Sequence, residues 1–187
     1  MRIIAGSARR TPLAAPKGQN TRPTADRVKE NLFNILTSYV TDARFLDLFC
    51  GSGAIGIEAL SRGANEAVFV DSSKDAIAAL TANLARAKLI GRIMPMCVFT
   101  AISMLAGEGR LYDIIYLDPP YGQGLLDPTL DAIVKSTLIT QNGSIVAESH
   151  VDEEMPQPGP LILHDTRIYG QTRLLFYSCS AAEGGMN

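Results

Sequence analysis

Two short stretches hold residue types whose spacing could do chemistry. In "FLDLFCGSGAIGIEAL", residues 45–60, an apolar run reaches Asp47, breaks at Gly51-Ser52-Gly53 and resumes after Gly56, with Asp71 twenty residues beyond Gly51. A G-x-G-x-x-G turn between a strand and a helix lets backbone approach a ligand closely, and an acid at that distance can accept hydrogen bonds from a ribose diol. A nicotinamide dinucleotide would be satisfied by those features. Asp47 argues otherwise. A carboxylate directly ahead of the glycines would repel a pyrophosphate, but it suits the ammonium group of S-adenosylmethionine, which carries no phosphate. The competing role for Asp47 is a loop or helix-terminus cap.

The second stretch is Asp118-Pro119-Pro120-Tyr121. Consecutive prolines remove two N–H donors and hold the chain extended, which leaves carbonyls as acceptors. Asp118 adds an acceptor and Tyr121 a flat face on which a base can stack. Such a set suits a planar amino group. Hydrogen bonds from its two N–H groups to Asp118 and the Pro119 carbonyl let the nitrogen pyramidalise, so that its lone pair can attack a sulfonium methyl in line. No strong base is needed before attack, because the amine becomes acidic only once methylated. The tetrapeptide suits adenine N6, guanine N2 or cytosine N4 equally.

These stretches need a frame, and the rest of the chain predicts one. Strands at 44–49, 67–71, 93–98 and 112–117 alternate with helices at 54–62, 74–88, 101–106 and 126–137, and "GSIVAES" reads as a fifth strand. That rhythm means βαβ units and a parallel sheet. It ends with "LILHDTRIY" and "TRLLFYS", two strands joined by Gly170-Gln171 with no room for a helix, hence an antiparallel pair. Ahead of the alternation lie β-like runs at Arg2–Ala5 and Thr11–Ala14, then a helix capped by Thr24 or Asp26 with apolar positions at Val28, Leu32, Phe33, Ile35, Leu36 and Tyr39.

The 187 residues suit one domain with a small appendage, and no apolar run is long enough to span a membrane. The opening residues lack a signal-peptide core, and three scattered cysteines (Cys50, Cys97, Cys179) fit no metal spacing, so a reducing cytoplasm is expected. Cys50 reads as a small buried residue. Residues 1–29 hold seven of the 17 Lys and Arg but one of the 19 acids, a local charge of +6 against −8 for the remainder. A basic arm of this kind can track phosphates by releasing counterions, with Arg9, Arg10 and Lys17 as its contacts. Glu148 reads as a solvated or capping acid at the same sheet edge, and His150 and His164 as structural or exposed.

The pairing of glycine turn and "DPPY" resembles the amino-methylating class I S-adenosylmethionine-dependent methyltransferases. "MRIIAGSARR", "TRPTADRVKENLFNIL", "LDLFCGSGAIGIEALSRGA", "LDPPY" and "YGQT" are, over nearly the whole chain, similar to the bacterial 16S rRNA guanine-N2 methyltransferases of the RsmD type. The resemblance implies an α/β, Rossmann-like class I methyltransferase fold. Its sheet would be mostly parallel and seven-stranded, with a C-terminal antiparallel hairpin and a small N-terminal β extension. It divides the chain into an arm at 1–23, a methyltransferase domain at 24–180 and a flexible tail at 181–187. It puts S-adenosylmethionine at Asp47, Gly51, Gly53 and Asp71, and chemistry at Asp118, Pro119 and Tyr121, the last a position where some relatives have Phe. Arg22, Thr24 and Asp26 fall in the family's "RPTxD" segment, near cofactor and target base, and Arg22 joins the RNA contacts. Where relatives often carry Asp or Asn for the adenine amino group, this chain has Thr100 and Ala101, so that contact is expected to rest more on backbone. The implied substrate is a guanine of 16S rRNA in the 30S subunit or its assembly intermediate, rotated out of its stack and methylated by a cytoplasmic monomer without metal. Rival readings are a DNA adenine-N6 methyltransferase, a non-catalytic ribosome assembly factor and, last, a nicotinamide-dependent oxidoreductase.

Overall fold

A computed structural model describes residues 1–16, 23–156 and 159–179. The alternation of the sequence becomes β1 (Arg44–Leu48), α3 (Ala54–Ser61), β2 (Glu66–Val70), α4 (Lys74–Ala87), β3 (Arg92–Met94), α5 (Val98–Gly107), β4 (Tyr112–Leu117), α6 (Leu126–Lys135) and β5 (Ile139–His150). The hairpin β6 (Leu161–Tyr169) and β7 (Thr172–Cys179) follows, and α1 (Pro23–Ile35) and α2 (Thr37–Val40) precede. The strands form one sheet in the order β3-β2-β1-β4-β5-β7-β6. β1 to β5 pair in parallel, and β7 runs antiparallel to both β5 and β6. This is the mostly parallel sheet with a terminal antiparallel hairpin that the sequence predicts.

The central strands read as unbroken apolar runs because both faces are covered. Side chains alternate across the sheet. Phe45, Phe69, Tyr116, Val146 and Phe176 pack with α1, α3 and α4, while Leu46, Leu48, Val68, Ile115 and Ala147 pack with α5 and α6. Asp47 and Tyr116, in register across β1 and β4, share the first of these faces.

Three expectations change. The third strand shrinks to Arg92–Met94, and the helix after it starts at Val98 rather than 101. The predicted first helix breaks at Leu36 into α1 and the four-residue α2, leaving Tyr39 62 % exposed. The runs at Arg2–Ala5 and Thr11–Ala14 form a hairpin with a single β-bridge, Arg2 to Pro12. Its ladder is short for a chemical reason: Pro12 has no N–H, and the Ile4 and Ala5 N–H groups donate to the Glu58 carboxylate of α3 instead (2.8 and 3.0 Å). Ile3 and Leu13 join the core, so residues 1–14 lie packed against α3 and α4.

Candidate active site at the strand ends

The site lies where β1 and β4 are neighbours and the chain leaves them in opposite directions, the switch point of an open α/β sheet. After β1 the chain turns at Gly51-Ser52-Gly53. Gly53 has φ +77°, and a Cβ there would sit 2.3 Å from Leu80 Cδ1, so this turn admits only glycine. A Cβ on Gly56 would sit 2.4 Å from the Phe69 ring, and its absence lets α3 lie close against β2.

Three side chains fix this loop. Asp47 is 1 % exposed, and its Oδ2 accepts the Gly56 N–H at 2.9 Å. Asp71, at the end of β2, accepts the Gly51 N–H on Oδ2 and the Ser73 N–H on Oδ1, both at 2.8 Å. Asn83 of α4 is fully buried. Its Nδ2 donates to the carbonyls of Ser52 (3.0 Å) and Ala14 (2.9 Å), and its Oδ1 accepts the Ala14 N–H at 2.8 Å. One amide thus ties the glycine turn to the N-terminal hairpin, a link that no spacing in the sequence signals. Asn83→Leu should weaken S-adenosylhomocysteine binding by about tenfold, the worth of one or two lost hydrogen bonds. Calorimetric titration checks this, and an unchanged affinity would show that the turn holds itself.

Asp47 takes the capping role at Oδ2, and its Oδ1 makes no hydrogen bond among the described residues. Burial holds its carboxyl up at about 7, the Gly56 N–H working against the shift and Asp71 with it. An acid whose folded value lies above its unfolded one costs stability as pH rises from about 4 through 7. Asp47→Asn keeps an acceptor for Gly56 and removes that cost. The variant should melt at least about 3 °C above the unliganded wild type at pH 8, and level with it at pH 4. Equal melting temperatures at pH 8 would show that the carboxylate is compensated in the fold.

The second half of the site follows β4. Asp118 N–H reaches the Leu48 carbonyl at 3.4 Å, which sets the tetrapeptide beside the end of β1. Asp118 is exposed at the end of β4, yet protein atoms crowd its carboxyl. Thin solvation, then the charges of Glu148 and Asp47, raise its pKa well above the usual carboxylate range. Pro119 is buried, and Tyr121 is 45 % exposed. Glu148 is not the solvated acid expected: it is only partly exposed, and burial raises its carboxyl. Its Oε2 accepts the Tyr116 hydroxyl at 2.6 Å and its Oε1 the Tyr121 hydroxyl at 3.0 Å. His150 also belongs here, edge-on to Tyr121 with ring centroids 5.7 Å apart. Arg173 of β7 is 7 % exposed and donates to Ser149 Oγ (3.1 Å) and the Glu153 carbonyl (2.6 Å). Glu153 in turn accepts the N–H groups of Gly122 (2.6 Å) and His150 (3.0 Å), stitching the loops after β4 and β5 together.

Other candidates lie elsewhere. Thr100 and Ala101 sit inside α5, and Ala101 is fully buried in the core, so its side chain cannot meet a ligand. The residues that follow the carboxyl end of β3 are Pro95–Cys97. Arg9 and Arg10 are exposed, but they occupy the hairpin tip that packs on Ser61 at the far end of α3, the opposite edge of the sheet from Asp118. Lys17 and Arg22 lie outside the described residues. Asp26 is in the first turn of α1, its Oδ1 buried with no hydrogen-bond partner among the described residues. Cys50 is buried, and burial pushes its thiol up, as suits a small core residue. His164 is exposed on β6. Among the described residues no three His, Cys, Asp or Glu side chains gather as a metal site.

The charge pattern decides which cofactor fits. Asp47, Asp71, Asp118 and Glu148 face or underlie this edge, and among the described residues no Lys or Arg side chain bonds the glycine turn. An acidic cradle suits a cationic sulfonium with its ammonium group and disfavours a pyrophosphate.

Known proteins share this architecture. The model of the family described as "Conserved hypothetical protein 95", the RsmD family, matches residues 1–178. YlbH of Bacillus subtilis strain 168 is 37% identical over 180 residues, 95% of this chain and 98% of that protein. The ribosomal RNA small subunit methyltransferase D of Escherichia coli K12 is 36% identical over 183 residues, 97% of this chain and 91% of that one. The solved structure of yhhF from Escherichia coli superposes with a TM-score of 0.84 at 37% identity, covering 97% of this chain and 98% of that chain. With the strand order, the glycine turn and "DPPY" all in place, the chain belongs to the RsmD family and is a class I methyltransferase.

Proposed function

We propose that the protein transfers a methyl group from S-adenosylmethionine to the exocyclic N2 amine of a guanine in 16S rRNA, within the 30S subunit or its assembly intermediate. The observation that carries this reading is the placement of Asp118-Pro119-Pro120-Tyr121 beside the end of β1, the strand that leads into the glycine turn, in a chain whose relatives include a protein named as a small-subunit rRNA methyltransferase. The cofactor supplies an electrophilic methyl on a sulfonium. Asp47, Gly51, Gly53 and Asp71 are assigned to hold it. Asp118 and the Pro119 carbonyl accept the two N–H groups of the amine, and Tyr121 stacks on the base. Once the nitrogen is methylated it becomes acidic, and Asp118, held above the usual carboxylate range, is a competent acceptor for its proton.

On this reading the protein is a cytoplasmic monomer. Lys17 and Arg22 keep their assignment to phosphates, and the exposed Arg27 near the start of α1 joins them. Arg9 and Arg10 would touch RNA only if it reaches around to the opposite edge, as a large folded rRNA can.

The experiment is transfer of labelled methyl to unmethylated 30S subunits, naked 16S rRNA and duplex DNA. Label on N2 of one guanine in the 30S sample supports the reading. Label on adenine in DNA would leave fold and cofactor standing and remove the rRNA assignment. Bound S-adenosylhomocysteine without transfer to any of them would favour a non-catalytic assembly factor.

A further inference from the structure

We infer that Glu148 accepts the N1–H of the target base and is the residue that makes the site read guanine rather than adenine or cytosine. This rests on the guanine-N2 reading above and extends it from the reacting amine to its neighbour on the base.

The argument begins with register. Leu117 of β4 pairs with Ala147 of β5, so the next residue on each strand, Asp118 and Glu148, emerge side by side. They continue the face that Tyr116 and Val146, also in register, present toward α1. Glu148 is then held at both oxygens, Oε2 by the Tyr116 hydroxyl at 2.6 Å and Oε1 by the Tyr121 hydroxyl at 3.0 Å. Tyr121 is the side chain assigned to stack on the base. The same ring that would cover the base therefore fixes the acid at its edge. Each carboxylate oxygen has two acceptor positions, so one on each remains for a ligand. What Glu148 offers is a second acceptor next to Asp118, oriented by the hydroxyls of Tyr116 and Tyr121.

The bases differ at just this point. Beside its exocyclic amine guanine carries N1–H, a donor. Beside theirs, adenine carries N1 and cytosine N3, both acceptors. An enzyme that takes a base out of its stack reads it through this edge. Two adjacent acceptors, Asp118 and Glu148, match two adjacent donors, N2–H and N1–H, and only guanine has both. Adenine or cytosine would set a ring lone pair against the carboxylate, and an acceptor held facing an acceptor discriminates strongly.

The test uses small-subunit particles reconstituted around 16S rRNA in which the target guanine is replaced by 2-aminopurine. That base keeps the N2 amine but has no N1–H. The full-length wild type should methylate guanine about 10- to 100-fold faster than 2-aminopurine, the worth of a hydrogen bond to a charged group. Glu148→Gln, whose amide can also donate to an unprotonated ring nitrogen, should lose rate on guanine and hold or gain it on 2-aminopurine, so that the preference collapses. If Glu148 merely anchors the two tyrosines, the variant slows both substrates alike, and that result overturns the inference. So does a wild-type preference within about twofold, a measurement that needs no variant to fold. Failure of the parent reading looks different. A wild type that puts no methyl on guanine N2 in the unsubstituted particle, or that methylates adenine, removes both.

Discussion

Asp118→Ala should lower the rate of methyl transfer by about 10²- to 10³-fold while S-adenosylhomocysteine binds as before, the usual cost of removing one preorganised group that meets the reacting centre. The amine's lone pair is spread into its ring in the ground state, and it becomes a nucleophile only as the nitrogen pyramidalises. Acceptors on both N–H groups favour that geometry, and the Asp118 carboxylate is the stronger of the two assigned. Asp118→Asn keeps one acceptor oxygen and should recover part of the rate. Loss of solvation, then the charges of Glu148 and Asp47, raises the Asp118 pKa well above the usual carboxylate range. Its ionised form, and with it kcat, should therefore grow along a limb displaced upward from ordinary carboxylate pH, and Asp118→Asn should flatten that limb. Single-turnover transfer at several pH values measures both effects. A variant within fivefold of wild type, or a limb that survives in Asp118→Asn, would move the acceptor role to another group.

How much of this could be read beforehand depends on where the information lay. The alternation of apolar strands with helices, the glycine turn and "DPPY" are local patterns, and they lead directly to a mostly parallel sheet and to Asp47, Asp71 and Asp118 at one edge. Glu148 was misread because a lone acid at a strand end carries no periodic signal. Its meaning comes from the β4–β5 register and from two tyrosines remote from it in sequence, one of them, Tyr116, indistinguishable from a core aromatic until the sheet is assembled. Thr100 and Ala101 were misplaced because β3 ends early and α5 begins at Val98. The basic arm was legible as charge but not as geometry. Gly6 packs so closely on Ser61 that a Cβ there would lie 1.6 Å from the Ser61 carbonyl oxygen, and this contact carries Arg9 and Arg10 to the edge away from the chemistry. Glu58 stands alone in the apolar helix "AIGIEALS", where a charge has no reason to be unless it is paired.

That residue sets the largest stability effect expected. Glu58 is fully buried and accepts from the Ile4 and Ala5 N–H groups, from Lys29 Nζ at 3.1 Å and from Arg62 Nε at 2.8 Å. Lys29, 1 % exposed, also donates to the Arg2 carbonyl at 2.6 Å, and burial lowers its pKa, with Glu58 opposing that shift. Truncating the acid leaves a buried ammonium without its ion-pair partner, only the more weakly acting Asp26 opposing its charge, and two backbone donors without partners. Glu58→Ala should cost roughly 3–5 kcal/mol, a fall in Tm of about 6–20 °C for a chain of this size. The loss should also spread. The hairpin that Glu58 holds runs on to Ala14, Ala14 shares Asn83 with Ser52, and Ser52 lies in the glycine turn. Amide protection at Ile4 and Ala5 should collapse first, with S-adenosylhomocysteine affinity falling after it. Lys29→Met in the Glu58→Gln background removes the stranded charge and keeps an acceptor for the backbone, so it should regain most of the stability, and the excess over additivity is the coupling between the two groups. A single Glu58→Ala variant that melts within 3 °C of wild type with its hairpin still protected would mean that Ile3, Leu13 and Gly6 hold the arm without the acid, and the path from arm to glycine turn would then run through packing rather than charge.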